Sequence, residues 1–147
     1  MANVKRLSYT VPSHCDVLHK AVFDTGSAVL SLNGKVCHKL LNPEATYEYL
    51  SGLDTVFIVG PYLVAYAIHT PWYSTDEVLC DLIVMRITND PGKLSDVTDF
   101  LEAEARRENV SWVAVGTLLS PNDALLRRGY ERCGYEVAAT QLVKELT

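Results

Sequence analysis

The chain has 147 residues, a length that suits one domain built around a single buried core. Hydrophobic residues make up 48% of it and charged residues 21%, which excludes an intrinsically disordered chain. The net charge of −5 disfavours nucleic acid as a partner, because phosphate binding needs a basic surface. No apolar run reaches the roughly 18 residues of a membrane span, and the polar first residues do not form a secretory signal, so we expect a cytoplasmic protein with no membrane partner.

The first third of the chain predicts a short strand followed by two helices. Residues 5–12 are a candidate strand, and residues 12–26 carry apolar side chains at helical spacing up to Gly26, where we expect the helix to end. Asn42 followed by Pro43 predicts the start of the second helix, because an asparagine side chain caps a first turn and proline suits its first position.

The middle of the chain predicts a β-sheet. Residues 55–69 predict two strands that meet in a hairpin at Gly60-Pro61. Residues 76–88 predict a long strand whose second half is apolar on both faces, which is typical of the buried middle of a sheet.

The last third predicts alternating helices and strands. The predicted elements are a helix at 95–108, a buried strand at 110–118, a helix at 120–134 that is closed by Gly134, and one or two strands at 135–146. The sequence therefore predicts an α/β fold (α+β, with a mixed sheet), with at least one right-handed crossover, in a single domain that spans 1–147.

Four cysteines are widely spaced, and none belongs to a Cys-x-x-Cys pair: Cys15, Cys37, Cys80 and Cys133. Such residues in a core of this size are typically reduced and buried. His19 follows Cys15 by one helical turn and His38 follows Cys37, but no further pair has ligand spacing, so we predict no metal site.

The end of the chain carries a motif with a known counterpart. Tyr130-Glu-Arg-Cys-Gly134-Tyr135 resembles the Tyr-Glu-Lys/Arg-x-Gly-Phe/Tyr motif of the GNAT N-acetyltransferase superfamily, and the ending QLVKEL resembles the final strand of that family. The resemblance covers residues 55–146. It implies a GNAT-like acyl-CoA N-acyltransferase fold, with a central mixed β-sheet flanked by helices, and transfer of an acetyl group from acetyl-CoA to an amine of a small molecule or protein.

The same resemblance implies that the turn before the 95–108 helix holds the diphosphate of acetyl-CoA. The residues that align with the family's glycine-rich loop are Asn89-Asp90-Pro91-Gly92-Lys93-Leu94, and among them only Gly92 matches a glycine of that loop. Nearby acids would repel a diphosphate by about 1 kcal/mol per close pair. The cofactor-binding residues that the resemblance implies are Arg86, Ile87, Gly92, Lys93, Asn122 and Arg127.

Acyl transfer to an amine needs a base for the ammonium proton and an acid for the departing thiolate. The resemblance makes Tyr130 the acid, although the same pattern fits a core tyrosine whose hydroxyl reaches the surface. Glu77 and Asp81 are candidate bases on one face of one strand. Because Asp81 lies in an apolar run, either burial raises its pKa toward that of a base, or a neighbouring strand or an arginine satisfies the carboxylate. His69 is the remaining candidate.

Two further hypotheses stand beside the enzyme. The altered loop also fits a GNAT-fold protein that has lost cofactor binding and acts as a binding or structural component, of the divergent kind that bacteriophages carry. Tyr62, Tyr66 and the segment Pro-Trp-Tyr-Ser at 71–74 would line an acceptor pocket or belong to the core and its rim. In a third hypothesis the protein is a small oligomeric scaffold, such as a homodimer, that buries this aromatic hairpin.

Overall fold

The computed structural model describes residues 2–31, 36–117 and 123–146. Contacts group the chain into two compact units. The sheet unit comprises Met1–Leu7 and Asp54–Gly116, and the helical unit comprises Ser8–Leu53 and Thr117–Thr147. The expectation of one domain over 1–147 stays a prediction. None of the helices in the described ranges is long and apolar enough to cross a membrane.

Ten elements are present in the described residues. In chain order they are β1 (Val4–Arg6), α1 (Pro12–Ser31), a 3₁₀-helix (Val36–Leu40), α2 (Pro43–Ser51), β2 (Val56–Val59), β3 (Tyr62–His69), β4 (Val78–Arg86), α3 (Leu94–Arg107), β5 (Val113–Ala114) and α4 (Asp123–Arg132).

The sheet unit contains a mixed sheet with the strand order β1-β2-β3-β4-β5. Neighbouring strands are antiparallel from β1 to β4, whereas β4 and β5 are parallel and are connected through α3. The predicted mixed sheet is therefore confirmed, as is the hairpin at Gly60-Pro61. Gly60 has a φ of 55°, which the tight β2–β3 turn requires and which glycine adopts without strain.

Helix α3 packs its apolar face on the sheet. Its buried residues recur at helical spacing and contact a cluster of buried strand residues: Val97, Leu101 and Ala105 against Val59, Val64, Tyr66 and Leu79. This confirms the amphipathic helix predicted at 95–108.

A polar link also joins α3 to the sheet. The buried Tyr66 hydroxyl donates to Glu104 Oε1 at 3.0 Å, and Arg107 Nε donates to Glu104 Oε2 at 2.8 Å. Burial, reinforced by the Glu104 carboxylate, raises the pKa of Tyr66 to about 12. The hydroxyl therefore keeps its proton, and its donor role, at neutral pH.

In the helical unit, α1 packs against α2. The His19 ring stacks on Phe23 with centroids 4.2 Å apart and meets the edge of Tyr47 at 5.1 Å. Helix α2 begins as predicted, because Asn42 Oδ1 accepts the N–H of Ala45 at 3.0 Å.

The predicted end of α1 at Gly26 is wrong, because the helix continues to Ser31. A Cβ at Gly26 would lie 3.2 Å from Pro43 Cγ. The glycine therefore permits close packing between α1 and the start of α2, and it does not terminate the helix.

Three predicted strands also differ from the structure. The strand predicted at 5–12 is reduced to β1 (Val4–Arg6), and Pro12 already begins α1. The strand predicted at 110–118 is reduced to β5. It begins late because Asn109 has a left-handed conformation (φ 57°) and Val110 N–H donates to Ala105 O at 2.8 Å, so both residues form the C-terminal cap of α3. Residues 135–146 form no strand, since a strand needs a neighbour that shares its main-chain hydrogen bonds and no described strand pairs with this segment.

In the described ranges, no three His, Cys, Asp or Glu side chains come together as metal ligands would. Cys15, Cys80 and Cys133 are free thiols.

We expect Tyr66→Phe to lower the free energy of unfolding by about 1–2 kcal/mol, because Glu104 loses a donor while the ring packing is kept. Urea unfolding followed by circular dichroism measures the change. Tyr49→Phe, which alters a residue that is 59% exposed, is the control. A loss for Tyr66→Phe no larger than that of the control would contradict the stabilising role of the link.

Candidate functional site

The regular pairing between β4 and β3 is interrupted by one extra residue on β4. Along this antiparallel ladder Ala65 pairs with Ile83 and Tyr66 pairs with Asp81, so Leu82 is an extra residue with no partner on β3. This is a β-bulge, which takes the extra residue out of the regular ladder and is often found beside active sites.

On its other side, β4 pairs with β5 over two residues only. Leu79 pairs with Val113 and Cys80 pairs with Ala114, and Leu79 N–H donates to Trp112 O at 2.9 Å. Beyond Cys80, no strand of the described part of the chain pairs with β4 on this side.

The carboxylate of Asp81 lies where this second ladder ends. Gly116 N–H donates to Asp81 Oδ1 at 3.0 Å. In a regular parallel ladder that N–H would donate to the main-chain oxygen of Asp81. The β3 ladder and the β5 ladder are therefore both interrupted at Asp81 and Leu82, in the middle of β4.

Burial raises the pKa of Asp81 from 3.8 to about 6, and the hydrogen bond from Gly116 N–H opposes that shift. The side chain is thus mostly a carboxylate above neutral pH. The sequence left open whether a neighbouring strand or an arginine would satisfy this carboxylate. In the structure, the N–H of Gly116, just after β5, is a donor to it.

The other two base candidates lie outside this junction. Glu77 is exposed and precedes β4, which begins at Val78, so the expected strand face shared by Glu77 and Asp81 is not formed. His69 is exposed at the end of β3.

Arg86, the last residue of β4, braces the loop that follows. Its Nη1 donates to Asp90 O at 2.8 Å and its Nη2 donates to Gly92 O at 3.0 Å. The guanidinium also lies 5.0 Å from the centre of the Tyr62 ring, a cation–π distance. The positive charge of Arg86 is therefore directed at carbonyl oxygens of the loop.

Three main-chain N–H groups of this loop have acceptors within the protein: Ile87 donates to Pro61 O at 2.8 Å, Asp90 to Thr88 Oγ1 at 3.3 Å, and Lys93 to Asp96 Oδ2 at 3.2 Å. The N–H groups of Leu94 and Ser95, at the start of α3, have no hydrogen-bond acceptor among the described residues. Three main-chain N–H groups of the loop are thus engaged within the protein, and the helix start that follows the loop suits an anion.

Gly92 has a packing role. A Cβ at this position would lie 2.4 Å from Pro61 Cδ and 2.6 Å from Pro61 Cγ. The loop can pack on the β2–β3 turn only if this residue has no side chain. Lys93 is exposed next to it.

The remaining site candidates belong to the helical unit. Tyr130 on α4 is 3% exposed, with its ring 5.8 Å from that of Tyr135. Gly134 (φ 94°) closes the helix as predicted, with a bond from Tyr135 N–H to Tyr130 O at 3.1 Å. Arg127 is exposed and lies 3.4 Å from Glu131 as an ion pair. Asn122 lies outside the described residues.

Four of the predicted cofactor residues lie at the end of β4 and in the loop that follows it: Arg86, Ile87, Gly92 and Lys93. Strand β4 also carries Asp81. Sequence reasoning missed Leu82 and Gly116. The one signal that pointed to them was an acidic residue within an apolar strand.

The raised pKa of Asp81 gives a pH-dependent stability. The pKa of Asp81 is higher in the folded protein than in the unfolded chain. The protonated side chain therefore stabilises the fold below about pH 4, and this contribution is lost as the pH rises through about 6. We expect the free energy of unfolding of Asp81→Asn, relative to wild type, to rise by about 2–3 kcal/mol between about pH 4 and pH 7. Urea unfolding across this range measures the difference. Asp76→Asn, at an exposed position, is the control, and parallel curves for Asp81→Asn and wild type would contradict the expectation.

We expect Gly92→Ala to lower the free energy of unfolding by about 1–3 kcal/mol, because the new methyl group overlaps Pro61. Gly52→Ala is the matched control, since its Cβ would make an ordinary contact at 3.6 Å from Tyr49 O. Thermal unfolding compares the two, and equal stability of both variants would refute the packing role.

Comparisons with known proteins support the fold. No protein-family model and no curated protein matches the chain. Two solved structures resemble it. An aminoglycoside acetyltransferase from an uncultured soil metagenomic sample has a TM-score of 0.63 at 9% identity, over 100% of this chain and 99% of that one. A predicted acetyltransferase from Clostridium acetobutylicum, solved with acetyl-CoA, has a TM-score of 0.60 at 14% identity, over 99% and 96%.

Neither protein is described as a phage protein, so the expected phage type gains no support. Identities this low establish the fold alone. The chain has the GNAT-like α/β fold of these acetyltransferases, with a five-stranded mixed sheet in the part that the structure describes.

Proposed function

We propose that the protein is an N-acyltransferase that transfers an acetyl group from acetyl-CoA to an amine of a small molecule or a protein. The observation that carries the proposal is the double interruption of β4 at Asp81 and Leu82, in a chain with an acetyltransferase fold. Main-chain groups released from both ladders can bind an extended amide-bearing ligand and donate to a carbonyl oxygen on which negative charge develops.

Acetyl-CoA supplies the activated carbonyl group and a thiolate leaving group. In the proposal, the main chain at Leu82 donates to the carbonyl oxygen, and the amine nitrogen attacks the carbonyl carbon directly. The carbon–sulfur bond breaks and the sulfur takes a proton, for which the family resemblance makes the Tyr130 hydroxyl the candidate donor. Water, Glu77 or Asp81 takes the proton that the ammonium group loses.

Binding of the diphosphate is assigned to the start of α3. The N–H groups of Leu94 and Ser95 and the exposed Lys93 side chain provide donors and positive charge there. Arg86 holds the main-chain oxygens of Asp90 and Gly92. Arg127 and Asn122 stay cofactor-binding candidates on the family resemblance alone.

A second candidate function has its own support. Three loop amides have acceptors within the protein and Gly92 packs on Pro61, so the protein's own groups hold the loop in place. This favours a GNAT-fold protein that acts as a non-catalytic binding or structural component.

Isothermal titration with acetyl-CoA separates the two functions. The acyltransferase proposal predicts saturable binding with a Kd below about 1 mM, weakened about threefold to tenfold by Lys93→Ala because one phosphate contact is lost. Lys5→Ala, which removes an exposed charge on β1, is the matched control. No binding at millimolar acetyl-CoA would overturn the enzyme and favour the non-catalytic component.

We expect Tyr130→Phe to lower kcat by about 100-fold or more, with little change in the KM for acetyl-CoA, because the variant keeps the ring but lacks the hydroxyl that gives its proton to the thiolate. Release of free thiol measures the rate with a panel of amines that includes aminoglycosides, polyamines and lysine peptides. Tyr135→Phe, which keeps the neighbouring ring, is the control. Equal rates for wild type and Tyr130→Phe would exclude Tyr130 as the acid.

A further inference from the structure

We propose that the β3–β4 loop (residues 70–77) is a docking surface for an arginine-bearing segment of a partner protein. Trp72 and Tyr73 provide the aromatic faces of this surface, and Asp76 and Glu77 provide its negative charge. The inference goes beyond the proposed function, because docking needs neither acetyl-CoA nor an acceptor amine. The nine residues of β4 also place this loop roughly 25 Å from the loop that follows Arg86.

The β3–β4 loop displays its two aromatic side chains at the tip of a tight turn. Ser74 N–H donates to Pro71 O at 3.0 Å, so Trp72 and Tyr73 occupy the two central positions of the turn. Asp76 N–H then donates to Ser74 Oγ at 3.0 Å. The hydrogen bonds of the loop therefore fix the main chain that carries both rings, and a docking partner finds the rings already in position.

The two rings are exposed and lie at right angles to each other. Trp72 is 95% exposed and Tyr73 is 75% exposed, with ring centroids 5.6 Å apart and an angle of 87° between the ring planes. Rings in this arrangement each turn one face to the corner between them, and the face carries the negative part of the ring quadrupole. A cation in the corner contacts both faces, and tryptophan is the strongest aromatic partner of a cation.

The loop also carries negative charge that no cation of the described chain balances. Asp76 and Glu77 are exposed, and neither forms an ion pair with a described residue. The sequence contains no lysine or arginine between Lys39 and Arg86. Two carboxylates beside two aromatic faces complement an arginine side chain, because its planar guanidinium both stacks on rings and donates to carboxylates.

The charge of the loop also disfavours other occupants. A two-fold contact between two copies of this chain brings the same surface of each copy together, so Asp76 and Glu77 would face the same two carboxylates of the second copy. Like charges that are placed together in an interface destabilise it. Anionic lipid surfaces and nucleic acids meet the same repulsion. A partner with exposed arginines is therefore the occupant that fits both the rings and the charge.

Tryptophan fluorescence tests whether a cation docks at this loop. The chain has two tryptophans, so in Trp112→Phe the tryptophan emission comes from Trp72. Titration of this variant with a tetra-arginine peptide is expected to change the emission saturably. A tetra-citrulline peptide, which has nearly the same shape without the charge, is expected to leave it unchanged. Equal responses to the two peptides would show that charge is not recognised and would overturn the proposal.

Isothermal titration with the same arginine peptide tests the individual residues. We expect Trp72→Ala to raise the Kd about fivefold or more, and Asp76→Asn to raise it about threefold, because each removes one contact to the guanidinium. Glu48→Gln, which removes an exposed carboxylate outside the loop, is the matched control and is expected to keep the Kd of wild type. An unchanged Kd for Trp72→Ala, or no binding by wild type at millimolar peptide, would overturn the proposal.

Light scattering separates the arginine-bearing partner from a second copy of the chain. Without peptide, we expect wild type and Trp72→Ala to have the same mass in solution. A dimer of wild type that Trp72→Ala dissociates would assign the surface to a second copy and overturn the proposal. These tests do not involve acetyl-CoA, so the proposal and the proposed function fail independently.

Discussion

The hydrogen bond from Gly116 N–H to the side chain of Asp81 is the contact on which the site depends. Main-chain donors in a sheet are normally satisfied by the neighbouring strand, and here one of them is satisfied by a side chain at the middle of β4. The bulge at Leu82 interrupts the other ladder next to it. Both ladders of one strand are therefore interrupted at the same place, next to main-chain groups that are fixed by the flanking pairs.

The loop after β4 is organised by the protein's own groups. Arg86 holds two carbonyl oxygens, Gly92 fits against Pro61, and Asp96 accepts the N–H of Lys93. These contacts within the protein restrict the loop, and such restriction lowers the conformational entropy that a ligand has to remove on binding. Its three engaged amides are not available to a diphosphate, and its acidic residues would repel one, whereas the first turn of α3 supplies further donors.

Elements defined by local chemistry were predictable from the sequence. The Gly60-Pro61 turn, the Asn42 cap and the apolar period of α3 each act within a few residues, and each is confirmed. The bulge at Leu82 depends on the register between two strands, which no local pattern encodes. The role of Gly26 likewise depends on Pro43, a residue distant in sequence.

Titration of nitrogen-15-labelled protein with acetyl-CoA, followed by amide resonances in NMR spectra, tests most directly whether the interruption of β4 is the acyl-donor site. The amides of Leu82 and Gly116 are expected to show the largest saturable shifts, with those of Leu94 and Ser95 moving in parallel. Shifts confined to other parts of the chain, or no shifts at millimolar ligand, would contradict the account.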